Sequence, residues 1–166
     1  MEFQQIIEKR KSIRTYADTP IPQDVLDHIL QVGGLAPTSR NLKPCSFHLV
    51  QDREVLRKIS KAKKTGAAFA AVAAAAIVVA ADSERADTWI EDSSIAMTYM
   101  MLAAEEQNLG CCWVQIHLRT DADGRDAEEN VREILGLPER FRVVGVLVLG
   151  NTVDEQHVKK TGRLGL

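Results

Sequence analysis

The stretch SSIAMTYMMLAAEEQNLGCCWVQI, residues 93–116, contains a helix and a strand whose burial decides the fold. Its first twelve residues, 93–104, carry no charge. A helix that is apolar nearly all round is buried on several sides, within the domain or at a subunit interface. The helix is predicted over about 86–108, Leu109-Gly110 breaks it, and 111–116 reads as a strand.

The same alternation continues outward in both directions. Upstream, Phe3, Ile6 and Ile7 share one face of a helix predicted over 2–11. A second helix is predicted from Pro22, with Val25, Leu26, Ile29 and Leu30 at helical spacing and Gly33-Gly34 as its stop. A proline-bracketed loop over 35–44 leads to a strand over 46–51 and a helix over 52–60. The run from Ala67 to Ala81 is apolar throughout and two-thirds alanine. Its Ile77, Val78 and Val79 turn its end toward a buried strand. Downstream, a charged helix is predicted over 126–135, ended by Gly136 and Pro138. VVGVLVL, residues 143–149, is the clearest buried strand. Interleaved strands and helices indicate an α/β or α+β class. No repeat or linker divides the 166 residues, so one domain over 1–166 is expected.

Composition excludes several function classes. The formal charge of −2 argues against a general nucleic-acid or membrane-surface binder, which normally carries a large basic excess. The 15-residue apolar run over 67–81 is shorter than a membrane span. Cys45, Cys111 and Cys112 are odd in number and lack metal-ligand spacing with any histidine, so neither a disulfide framework nor a metal site is expected. Free thiols and a start without a leader-like apolar stretch make a cytoplasmic location the expectation. The glycines form neither a dinucleotide fingerprint nor a P-loop, and no G-x-S-x-G elbow is present.

Three segments could carry chemistry. Arg10, Lys11, Ser12 and Arg14 place three cations and a hydroxyl within five residues, a composition suited to a phosphate clamp. The same cations also suit a helix C-terminus, where they favour the macrodipole. The loop Ala36-Pro37-Thr38-Ser39-Arg40-Asn41 presents hydroxyl and amide groups that could bind a polar heterocycle or simply make local turn bonds. The strand over 109–116 could offer backbone groups to a planar ligand beside Trp113, or be core alone; Cys111 and Cys112 read as small buried hydrophobes.

The order of these segments resembles the FMN-dependent nitroreductase family. R-K-S-I-R near residue 10, A-P-T-S-R-N near 40, a buried D-x-x-x-A helix (Asp92, Ala96) and L-G-C-C-W near 110 follow that family's R-R-S-x-R, A-P-S-x-x-N and G-L-G-x-C-W motifs over 6–150. The resemblance implies a three-layer α/β/α, α+β fold with a mostly antiparallel central sheet. It also implies an intertwined homodimer with FMN at the subunit interface. Arg10, Lys11, Ser12 and Arg14 would hold the phosphate and ring edge. Pro37, Thr38, Ser39 and Asn41 would reach the flavin bound mainly by the other subunit. Gln115 and Ile116 would lie near the reactive nitrogen. Lys160 and Arg163 would add phosphate contacts from a tail, 151–166, docked on the partner. No side chain would act as nucleophile.

The implied activity is ping-pong hydride transfer from NAD(P)H to a nitroaromatic, quinone or similar small-molecule acceptor. Alternatives are a dehalogenase or dehydrogenase on the same fold, a non-catalytic flavin-binding or storage protein, and a small phosphoanion- or RNA-contacting module. Lys11, Lys43 and Cys45 stand where the family has Arg, Gln and Trp, and Gly150 opens G-N-T in place of G-Y-P. The flavin clamp loses one planar fork, and the substrate-side surface is expected to differ.

Overall fold

The computed structural model describes residues 1–153. Lys160 and Arg163, and nearly all of the tail assigned to a partner, lie outside the described residues. Helices α1 (Phe3–Lys9) and α2 (Gln23–Gly34) precede strand β1 (Cys45–Val50). Helix α3 (Arg53–Ser60), strand β2 (Ala75–Asp82) and helix α4 (Trp89–Glu106) follow, then β3 (Leu109–Gln115), α5 (Ala127–Leu135) and β4 (Phe141–Asn151). The strands form one antiparallel sheet in the order β1-β2-β4-β3. Helices α2 and α4 cover one face through Leu26, Ile29, Met97 and Met100. Leu56 and Ile59 of α3 and Val131 of α5 cover the other. The result is the three-layer α+β arrangement expected from the sequence.

Local chemistry explains most element ends. Asp52 caps α3 by accepting from the N–H groups of Glu54 and Val55, and Asp126 caps α5 through Glu128 N–H. Gly136 ends α5 in the left-handed region at φ 65°. Several expectations need adjustment. Helix α1 ends at Lys9 with Arg10 as its C-cap, so Arg10 alone of the cluster stands at the helix C-terminus and Lys11, Ser12 and Arg14 lie beyond it. Helix α2 ends at Gly34, as the Gly33-Gly34 pair predicts, with Leu35 as its C-cap. A Cβ at Gly33 would lie 2.7 Å from Met100 Cγ, so the glycine sets the close approach of α2 to α4. The break at Leu109-Gly110 also moves: Asn108, at φ 58°, makes the turn, and both residues open β3. Helix α4 is not buried all round within one chain, because Ile95 and Tyr99 are exposed.

Gly110 and Gly150 are cross-strand partners on β3 and β4. A Cβ on Gly110 would stand 2.8 Å from Ile13 Cγ2, and one on Gly150 would stand 2.6 Å from the Tyr16 ring. The missing side chains open a channel through which residues 12–17 cross the ends of both strands. Ile13 N–H donates to Cys111 O at 2.9 Å, and Ala17 N–H donates to Asn151 O at 2.9 Å. The buried Tyr16 donates its hydroxyl to Ile13 O at 2.6 Å, and burial raises its pKa further above the ordinary phenol value. Gly150→Ala is expected to cost about 1–3 kcal/mol through overpacking against Tyr16, measured as a lower urea midpoint.

Candidate functional site

The crossing segment delivers the cationic cluster to the outer edge of β3. Ser12 forms a parallel bridge with Cys111, Arg10 is half-buried, and Lys11, Ser12 and Arg14 are exposed. The Arg14 guanidinium stands 6.0 Å from the centre of the Phe69 ring. Arg10 is near enough to Cys111 to oppose, in part, the burial that pushes this thiol up to about 12. Cys111 is therefore a neutral core thiol.

Strand β3 is an edge strand, and the direction of its backbone groups follows from its bonds. Leu149 O accepts from Ala74 N–H on the β2 side, so its partner Cys111 points away from β4, and Cys111 O takes the Ile13 N–H. Backbone polarity alternates along a strand. Trp113 and Gln115 therefore also turn their N–H and C=O groups outward. Lys63 Nζ donates to Gln115 O at 3.1 Å. Burial, and then the charge of Arg119, lower the Lys63 pKa from its usual value. Lys63 is a cation that the sequence reading missed; only the register of β3 brings it to this edge. Ile116 sits differently from Gln115. It is buried, and its N–H is committed to Val144 O at 3.2 Å. Of the two neighbours singled out in the sequence, Gln115 faces the edge and Ile116 faces the core.

The loop over 37–44 is a separate structure on β1. Its short 3-10 turn, Ser39–Asn41, contains Arg40 at φ 51° and Asn41 at φ 54°, and Lys43 follows at φ 48°. Left-handed backbone costs L-residues other than Asn, and such strain persists only where surroundings enforce it. Asp92, 2% exposed at the start of α4, enforces it here. Its carboxylate accepts the Ser39 N–H at 2.9 Å and the Thr88 hydroxyl at 3.1 Å. Thr38 Oγ1 accepts the Lys43 N–H at 3.0 Å, and Arg40 pairs with Asp87. Cys45 borders the loop; burial raises its pKa against a bond to Ser93.

Within one chain the two groups do not meet. Strands β1 and β3 are opposite edges, and Cys45 lies level with Ala81 and Arg142, whereas Ser12 lies level with Cys111 and Leu149. Ordinary sheet spacings put the two corners roughly 14 Å apart across the sheet and about 20 Å apart along it. No cluster of three or more potential metal ligands occurs among the described residues.

The sequence profile of the Nitroreductase family matches residues 7–81 and 61–151. The chain belongs to the nitroreductase family. A candidate NADH dehydrogenase/NAD(P)H nitroreductase of Archaeoglobus fulgidus is 36% identical over 159 residues, covering 93% of this chain and 88% of that protein. The solved FMN-dependent nitroreductase of Clostridium difficile R20291 superposes with a TM-score of 0.86 at 35% identity, covering 97% and 98% of the two chains. Rat iodotyrosine deiodinase 1 is 34% identical over 58 residues, only 20% of its length. Within this nitroreductase fold, Asp92 is the support of the strained loop. Asp92→Ala is expected to cost about 1–3 kcal/mol by orphaning the Ser39 N–H, and to speed tryptic cleavage after Arg40.

Proposed function

We propose that the chain is an FMN-dependent oxidoreductase that uses NAD(P)H to reduce nitroaromatic, quinone or similar acceptors, working as a homodimer with two interfacial sites. The observation that carries this reading is the outer edge of β3. Outward N–H and C=O groups of Trp113 and Gln115 lie in line with Ser12 and the three cations of the crossing segment. Such an edge suits a planar heterocycle with hydrogen-bonding sides and an anionic tail. Arg10, Lys11 and Arg14 would neutralise the phosphate, with Ser12 as a neutral donor. The Gln115 and Trp113 N–H groups would bond the ring edge; the inward Ile116 N–H is not needed for this. When bound, FMN supplies the hydride chemistry, accepting from NAD(P)H and delivering to the acceptor in alternate half-reactions.

The diagonal separation of the two groups supports the dimer. Pro37, Thr38, Ser39 and Asn41 of one copy can complete the site only on the β3 edge of another. An apolar face is available for pairing: Phe3 and Ile7 of α1 and Ile95 and Tyr99 of α4 are all exposed. The whole chain would act as one flavin-binding domain, with the segment over 151–166 reaching the partner. No helix among the described residues is long and apolar enough to cross a membrane, and three free cysteines suit a reducing cytoplasm. The segment shared with iodotyrosine deiodinase supports a second reading, reductive dehalogenation of a halophenol by the same cofactor.

The purified protein is expected to carry FMN in equal stoichiometry, to sediment at twice the chain's mass, and to oxidise NAD(P)H when a nitroaromatic or quinone is added. A protein that binds FMN without turnover on these acceptors or a halophenol would be a flavin carrier, and one that stays colourless with added FMN would contradict the whole reading. Arg10→Ala is expected to weaken FMN binding about 10- to 100-fold through loss of a charge-assisted phosphate contact, measured by flavin fluorescence quenching.

A further inference from the structure

Where β3 leaves the sheet, its backbone hold is weak and its side-chain hold is strong. Ile116 and His117 share a single acceptor, Val144 O, each at 3.2 Å, and Leu118 then turns into the left-handed region at φ 57°. The short bond at this point is His117 Nδ1 to Glu128 Oε1, at 2.6 Å. Glu128 is only 1% exposed, in the first turn of α5. Its carboxylate also accepts Arg142 Nε and Nη2, both at 2.8 Å, and the Val143 N–H at 3.0 Å. Burial opposes the charge, but the bonds from Arg142, His117 and Val143 outweigh it and hold the Glu128 pKa below the usual carboxylate range. Glu128 is therefore an anion that can only accept, so His117 Nδ1 carries the proton. Trp89 closes the cluster: its ring meets the His117 ring edge-on at 5.0 Å, and the Arg142 guanidinium stands 5.0 Å from its centre.

The network continues onto the candidate flavin edge. His117 O accepts from Gln115 Nε2 at 3.1 Å, and Gln115 Oε1 accepts from Trp113 Nε1 at 2.9 Å. The indole has room because Gly145 lacks a Cβ, which would stand 2.9 Å from Trp113 Nε1. A fixed sequence of bonds thus runs Glu128, His117, Gln115, Trp113. It ends on the two residues of β3 whose backbone groups face outward beyond the Ser12 bridge. A buried carboxylate costs several kcal/mol to desolvate, and an apolar residue could serve stability as well. Unlike an apolar side chain, this anion holds the His117 ring by a directional bond just beyond the end of β3.

We propose that Glu128 and His117 are positioning residues for the outer edge of β3, holding the Gln115 and Trp113 donors in the geometry that favours reduced over oxidised FMN. The inference rests on the FMN reading above. The test uses the FMN-loaded protein and its His117→Leu, His117→Asn and Gln115→Met variants. Midpoint potentials are measured against an equilibrating redox dye, FMN affinity by fluorescence quenching, and stability by thermal melting.

His117→Leu is expected to weaken binding of reduced FMN about tenfold relative to oxidised FMN, which for a two-electron couple lowers the potential by about 30 mV. His117→Asn places an amide donor near the position of Nδ1 and should restore the wild-type potential. Gln115→Met cuts the network at a half-buried link and should lower the potential with little change in melting temperature. If His117→Leu fails to fold, Gln115→Met decides alone. Potentials that put the reduced-to-oxidised affinity ratio within about twofold of wild type, whatever the melting temperature, would overturn the proposal and leave the cluster a structural one. A wild-type protein that binds no FMN would instead overturn the functional reading on which it rests.

Discussion

The pair Gly110 and Gly150 is the constraint on which the rest of the candidate site depends. Two side chains are missing at one level of the sheet, and the space is filled by Ile13 and Tyr16 from a segment that crosses both strands. The crossing consumes the outward Cys111 carbonyl and fixes Ser12 against β3. Arg10, Lys11 and Arg14 are exposed or half-exposed, yet they are carried on backbone tied at both ends of the crossing. A cationic cluster on a free tail would lose conformational entropy on meeting a phosphate; this one is largely ordered beforehand.

The edge of β3 shows how the fold handles an unpaired strand. Exposed edges invite pairing with other chains and are usually covered or shortened. Here Ile13 occupies the outward Cys111 carbonyl and Lys63 the outward Gln115 carbonyl. The groups left between them number too few to template a strand and enough to bind a ring edge. Lys63 lies in a loop far from β3 in sequence, and its desolvated ammonium faces Arg119 as well as a carbonyl. Positive charge is thereby concentrated along the same edge as the N-terminal cations, although the whole chain is slightly acidic.

Much of the architecture was legible because hydrophobic periodicity and caps are local signals. Asp52 and Asp126 begin their helices where the sequence places them, and the charge-free run over 93–104 does become the central helix. Glycine was legible only in part. Gly33-Gly34 does end α2, but Gly110 reads as a break and lies in β3, and the space beside Gly33, Gly110, Gly145 and Gly150 is taken by Met100, Ile13, Trp113 and Tyr16. That information is tertiary and has no local pattern. Glu128 was hidden for a related reason. In sequence it is one acid of a charged, surface-like helix, and only the approach of His117 from the turn after β3 and of Arg142 from β4 makes it a buried anion. Gln115 and Ile116 were inseparable in the sequence because they differ by one residue; strand alternation sends one outward and the other into the core.

The two halves of the candidate site are built with opposite economies. The β3 edge uses relaxed backbone and ordinary strand polarity, so its donors exist without strain. The loop over 37–44 holds three non-glycine residues at positive φ, and Asp92, Thr88 and Thr38 hold it there. Arg40 and Lys43 each cost on the order of 1 kcal/mol or more, and the cost is met inside the same chain by a buried carboxylate on a helix whose Met97 and Met100 are fully buried. A loop strained and anchored in this way is set before anything binds to it. Because β1 and β3 are opposite edges of the sheet, that preset surface is presented away from its own chain's cations. In the homodimer proposed above, the cations and the β3 edge of another copy would supply what the loop lacks.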